Sequence, residues 1–151
     1  MKIGVPKEIK PQENRIGLTP DSVKDLVSNG HEVLVENNGG VEAGFENSHY
    51  TSSGAKIIDK AEDIFNDSDI IVKVKEPLSN EVKMIRENQI VFTYLHLAAA
   101  KELTQGLINS KGICIAYETV TDQNGRLPLL APMSAVAGRM SVQAGAHCLE
   151  K

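Results

Sequence analysis

Arg15, Lys75 and His96 are far apart in the chain, yet each carries a group that could act on a small anionic or carbonyl compound. Arg15 sits in the run Glu13-Asn14-Arg15-Ile16-Gly17. Its fork-shaped guanidinium can grip a carboxylate with two parallel hydrogen bonds, although a lone loop arginine also serves as ordinary surface charge. Lys75 belongs to Val72-Lys73-Val74-Lys75-Glu76-Pro77, a run that reads as the end of a buried strand. An ammonium in such a run is expensive unless paired. Lys73 alternates with Lys75 and is expected to face the same side. Both either reach solvent or aim at an anionic or carbonyl group at the strand's end. His96 lies between Leu95 and Leu97. It is either a satisfied core residue or an acid/base group, since imidazole titrates where proton transfer at neutral pH needs it.

Other chemistries find little support. No G-x-G-x-x-G run follows any expected strand, and Gly39-Gly40 is too short for one, so no pyrophosphate cradle is recognisable. Cys114 and Cys148 show no ligand spacing with each other or with histidine, and no metal site is expected. Both cysteines read as small apolar core residues. His31, His49 and His147 read as structural or solvent-facing. The chain has 16 Lys plus Arg against 20 Asp plus Glu, for a net charge of −4, which argues against a nucleic-acid-binding face. No apolar run approaches the roughly 20 residues that span a bilayer, and only Ile3-Gly4-Val5 separates Lys2 from Pro6, so neither a membrane segment nor a signal peptide is expected. A cytoplasmic location is the default expectation.

The positioning elements follow from periodicity. Aromatic residues are 4% of the 151, so the core is aliphatic, as in sheets buried on both faces. Strands are expected at residues 2–6, 31–36, 56–58, 69–74, 89–93 and 113–116. The first helix opens at Thr19-Pro20, a cap followed by proline at the first helical position, and stops at Gly30. Further helices are expected at 47–53, 60–65, 80–87 and 98–109. An irregular loop over 119–132 leads to a last helix, capped by Ala131 or Ser134, that runs to the chain end. This alternation predicts an α/β fold: a doubly wound, mostly parallel sheet covered by helices on both faces, Rossmann-like or flavodoxin-like but without a dinucleotide fingerprint. Ligands of such sheets bind beyond the carboxyl ends of the strands. Those loops hold Lys7, Glu8 and Arg15, then Lys75 and Glu76, then Tyr94 and His96, then Glu118. The last helix is rich in small residues, among them Ala135, Ala137, Gly138, Ser141, Ala144, Gly145 and Ala146. It is either a close-packed terminal helix or one whose partners lie beyond Lys151.

Several of these runs resemble the alanine dehydrogenase family. They are residues 1–8, Glu13-Asn14-Arg15-Ile16-Gly17-Leu18-Thr19-Pro20, Lys73-Val74-Lys75-Glu76-Pro77, Tyr94-Leu95-His96-Leu97-Ala98 and Leu130-Ala131-Pro132-Met133-Ser134. They occur in order and span essentially the whole chain. The resemblance implies an oxidoreductase that interconverts L-alanine with pyruvate and ammonium using NAD. It implies that residues 1–131 form a substrate domain and that 132–151 lead toward a nucleotide-binding domain absent from this chain, which alone would be inactive. It further implies a hexamer in the full-length protein. By position, Arg15 and Lys75 match the residues that hold the substrate carboxylate and carbonyl, His96 the acid/base histidine, and Met133 and Ser134 positions bordering the cofactor. Tyr94 is a candidate wall for the methyl pocket. The alpha subunit of proton-translocating transhydrogenase is similar at its start, including an arginine at the Arg15 position, but its pattern lacks equivalents of Lys75 and His96. Saccharopine dehydrogenase has a similar Lys-Glu and a histidine, in different surroundings. A small keto-acid-binding module without turnover is the non-enzymatic alternative for the isolated chain.

Overall fold

A computed structural model describes residues 1–150. They fall into two compact units, Met1–Ala116 and the segment from Tyr117 onward. The first unit is a six-stranded sheet in the order β3-β2-β1-β4-β5-β6, with β1 Lys2–Val5, β2 Glu32–Glu36, β3 Lys56–Ile58, β4 Ile70–Val72, β5 Ile90–Thr93 and β6 Ile113–Ala116. All five strand pairs are parallel. The sheet therefore has the expected α/β architecture, and all its carboxyl ends share one edge.

Alternation along the strands splits the core in two. Ile3, Val5, Val33, Val35 and Val72 meet Val23 of α1 (Pro20–Ser28) and Tyr50 of α2 (Asn47–Ser52). Leu34, Ile71 and Val91 face the other way, onto Ile64 and Phe65 of α3 (Ala61–Asp67) and Leu107. At the β6 edge one face is uncovered: Ile113 and Ile115 are exposed. α1 starts as its sequence implies, with Thr19 Oγ1 accepting from the Ser22 N–H at 3.3 Å and Pro20 at the first position. The Tyr50 hydroxyl donates to the Leu18 carbonyl at 3.0 Å, and burial pushes its pKa up to about 12.

Tertiary contacts shift several expected boundaries. β4 ends at Val72 and not at Val74. Pro6 ends β1, and the Glu8 carboxylate takes the Val74 N–H at 2.6 Å in place of a strand neighbour. α4 is only Ser79–Val82, not 80–87. The Gln89 side chain accepts the Arg86 N–H at 3.1 Å, diverting it from a helical partner. α5 is Lys101–Ser110, because residues 97–99 form a separate 3-10 turn. A second 3-10 turn, Val41–Ala43, has no counterpart in the sequence reading.

The second unit begins with a 3-10 turn at Tyr117–Thr119. In a tight turn Asp122 Oδ1 accepts from the N–H groups of Asn124 and Arg126 at 2.8 and 2.9 Å. Helix α6 follows over Ala131–Cys148. Its cap is Leu130; Ala131 is the first helical residue and Ser134 lies inside, its N–H bonded to the Leu130 carbonyl at 3.2 Å, so neither expected residue caps the helix. The helix ends at Cys148, and Lys151 lies outside the described residues. Cys148 is exposed, not in a core, whereas Cys114 is half-buried and burial pushes its thiol pKa up. No helix among the described residues is long and apolar enough to cross a membrane.

The closest constraint on the first strand is at Gly4. A Cβ there would lie 2.6 Å from Ile64 Cγ2 and closer still to Ser68 Oγ. Gly4→Ala is expected to lower stability by about 1–3 kcal/mol through overpacking. Urea denaturation checks this; an unchanged midpoint would show that α3 yields freely.

Candidate active site

The carboxyl edge of β1, β4 and β5 is organised from a buried charge outward. Lys73 is 1% exposed, and its Nζ lies 2.8 Å from Glu81 Oε1 and 3.2 Å from Glu8 Oε2. Of the two outcomes open for Lys73, the structure has the anionic partner and not solvent, while Lys75 is half-buried. Each carboxylate also takes backbone donors. Glu8 Oε1 accepts from Val74 and Lys75 N–H at 2.6 and 3.3 Å, and Glu81 Oε2 accepts from Leu78 N–H at 2.8 Å. The Lys75 carbonyl accepts from Thr93 Oγ1 at 2.9 Å, which ties this segment to β5. The backbone carrying Lys75 is thus held from two sides.

The loop after β1 is drawn over the same edge. Glu36, at the end of β2, accepts the Lys7 N–H at 2.8 Å, while burial pushes its carboxyl pKa up. Gly17 lies flat on the end of β4: a Cβ there would be 2.6 Å from the Val72 carbonyl oxygen. That close approach brings Glu13 and Arg15 to the site. Arg15 Nε donates to Glu13 Oε1 at 2.7 Å and Arg15 Nη2 donates to Glu13 Oε2 at 2.6 Å. Hydrogen bonding from the Arg15 side chain holds the Glu13 carboxyl below the usual carboxylate range, against burial, and the positive charge of Lys75 acts the same way. The guanidinium in turn feels Tyr94 and Glu8. Arg15 and Lys75 therefore both act on the Glu13 carboxylate, and Tyr94 lies within electrostatic reach of Arg15.

His96 completes the edge. Its ring stacks on Tyr94 with centroids 6.2 Å apart and planes at 29°. Its backbone is left-handed, φ 52°, a conformation that costs a non-glycine residue of order 1 kcal/mol and persists where the surroundings impose it. Nδ1 lies 3.3 Å from Glu76 Oε2, and the other Glu76 oxygen pairs with Lys10. Burial would raise the Glu76 carboxyl, but the Lys10 ammonium, its own N–H and His96 outweigh it and hold it low.

Glu13, Glu76 and Glu81 were not singled out as partners by sequence reasoning. The usable signal was Lys73 itself, since a lysine inside a buried run demands carboxylates that local sequence does not supply. Met133 and Ser134 lie in the second unit, half-buried and exposed respectively on the first turn of α6. His49 caps α2, its Nδ1 accepting from the Glu46 N–H at 3.1 Å, while His31 is half-buried at a strand start and His147 is exposed. A cleft of about 510 Å³ lies beside Phe45, and one of about 460 Å³ between α4 and α5 reaches Glu76; neither is lined by Arg15, Lys75 or His96.

A family model described as alanine dehydrogenase/PNT, N-terminal domain, matches residues 4–137. The chain belongs to that family. It is 56% identical over 151 residues to an alanine dehydrogenase of Staphylococcus epidermidis, a match covering 100% of this chain and 40% of that protein. A Halomonas elongata alanine dehydrogenase is 52% identical, again across 100% of this chain and 41% of the relative. Among solved structures, an L-alanine dehydrogenase superposes with TM-score 0.93 at 52% identity, covering 99% of this chain and 41% of that one. A transhydrogenase from Sinorhizobium meliloti superposes with TM-score 0.75 at 25% identity over 82% of this chain and 36% of its own. That likeness runs well past the start of the chain. This chain thus spans about two fifths of the length of the alanine dehydrogenases it matches.

In this alanine dehydrogenase/PNT domain the buried lysine gives a direct test. Lys73→Met leaves Glu8 and Glu81 without their counter-ion, and the expected loss is about 3–5 kcal/mol in a denaturant titration. A loss below about 1 kcal/mol would mean the two carboxylates hydrate or take up protons easily. A second test uses pH. The Glu76 carboxyl is held low in the folded state, so its contribution is present above the ordinary carboxylate range and is lost as pH falls through its lowered value. Glu76→Gln should flatten that acid limb of the stability curve; an unaltered limb would assign it to other carboxylates.

Proposed function

We propose that this chain is the substrate-binding part of an NAD-linked alanine dehydrogenase, with residues 1–131 forming the substrate domain and 132–151 leading toward a nucleotide-binding domain outside it. The observation that supports this reading is the Arg15–Glu13 pair, on whose carboxylate the charge of Lys75 also acts; the Tyr94–His96 stack on the next strand-end loop is consistent with it. The names of the relatives, 52–56% identical, support it. Two cations at one strand edge suit the carboxylate of alanine or pyruvate, with Lys75 also reaching the carbonyl oxygen. A clamp of that kind fixes the orientation of the Cα–H bond. His96, its Nδ1 against Glu76, supplies an imidazole for proton transfer to the amino or carbonyl centre as water adds and ammonium departs. Tyr94 is a wall for the methyl group.

The residues of this chain do not fit a dinucleotide's phosphates. The turn after β1 is filled by the acceptor oxygens of Glu8, where a pyrophosphate needs N–H donors. NAD, which would take up the hydride, is therefore assigned to the part of the protein outside this chain. Met133 and Ser134 border it from the start of α6. The reading includes a cytoplasmic, hexameric enzyme and an isolated chain that binds without turning over.

Calorimetry with pyruvate tests it. Lys75→Ala should abolish measurable binding, while His96→Ala should weaken it less, by about tenfold at most. Unchanged affinity in the lysine variant would defeat the assignment. Pyruvate binding that no added nucleotide-binding segment converts to turnover would favour the simple binding module.

A further inference from the structure

We propose that Glu13 is a positioning residue for carboxylate recognition, locking Arg15 and holding Arg15 and Lys75 at one edge while no ligand is bound. This rests on the reading of Arg15 and Lys75 above and extends it to a residue to which that reading gives no role.

Glu13 contacts Arg15 three times. Its Oε1 accepts from the Arg15 backbone N–H at 3.0 Å as well as from Nε, and its Oε2 accepts from Nη2. Backbone and guanidinium are therefore fixed together, which removes rotamer freedom that ligand binding would otherwise have to freeze. The two residues differ in exposure: the Glu13 side chain is 8% exposed and that of Arg15 is 50%. The carboxylate stands behind the guanidinium, not in front of it. Lys75 acts on the same carboxylate. Without Glu13, Arg15 and Lys75 would lose the carboxylate on which both act, and with Glu8 alone remaining their mutual repulsion would be less offset. With it, a single arriving carboxylate brings Arg15, Lys75, Glu13 and ligand to charge balance. Glu8 and Tyr94 are further titratable groups that act on Arg15.

The test uses the full-length enzyme, with Glu13→Gln, Glu13→Asp and Arg15→Ala compared by steady-state kinetics on alanine and by binding of pyruvate and its neutral amide. Glu13→Gln should raise KM about tenfold with kcat within about threefold, and should lower the preference for pyruvate over the amide by a similar factor. Glu13→Asp should recover part of both. A general loss of structure would weaken both ligands alike and leave the preference standing, which would overturn the proposal; thermal melts accompany each variant. A lower KM in Glu13→Gln would show that Glu13 competes with substrate, and would also overturn it. If Glu13→Gln changes nothing while Arg15→Ala raises KM, the positioning role fails and the arginine assignment stands. If Arg15→Ala also leaves KM unchanged, the site reading fails with it.

Discussion

A fully buried ammonium governs this fold's carboxyl edge. Lys73 is out of reach of water, so Glu8 and Glu81 must come to it, and each brings its own segment along. Glu8 anchors the turn after β1, and Glu81 anchors the start of α4. Exchanging such a group for apolar side chains of similar volume is often neutral or stabilising, so the triad is a poor explanation for stability. It is a better explanation for register. Four backbone or side-chain donors — the N–H groups of Val74, Lys75 and Leu78, and the Lys73 ammonium — converge on two carboxylates, which ties the three segments together.

The outer charges are arranged on that base. Gly17 lets the 13–17 loop lie directly on the end of β4, and the Glu13–Arg15 pair follows from it. Glu76, next to Lys75, turns instead to Lys10 and His96. Each exposed cation or imidazole here thus leans on a more buried carboxylate: Arg15 on Glu13, His96 on Glu76. Such layering holds functional groups in a fixed orientation in a loop region, where backbone alone would leave them free.

The scaffold itself is shared more widely than any one chemistry. A transhydrogenase at 25% identity retains the fold at TM-score 0.75, so the parallel sheet alone says little about what is done at its edge. Under the function proposed above, recognition of alanine or pyruvate falls to Arg15, Lys75 and His96 and to the carboxylates behind them.

Strand–helix alternation, the Thr19-Pro20 start and the aliphatic composition were enough to define a parallel α/β sheet, because periodicity and capping are local properties of the chain. The same logic placed Arg15, Lys75, Tyr94 and His96 on strand-end loops. It misplaced the ends of β4 and α4, where side chains take backbone donors from their expected partners: Glu8, distant in sequence, for the first, and Gln89, three residues beyond Arg86, for the second. The pairing of Lys73 with Glu8 and Glu81, and of Arg15 with Glu13 in the field of Lys75, came only from tertiary structure. Strand order decides which loops become neighbours, and the cost of an unpaired buried charge then decides which carboxylates turn inward.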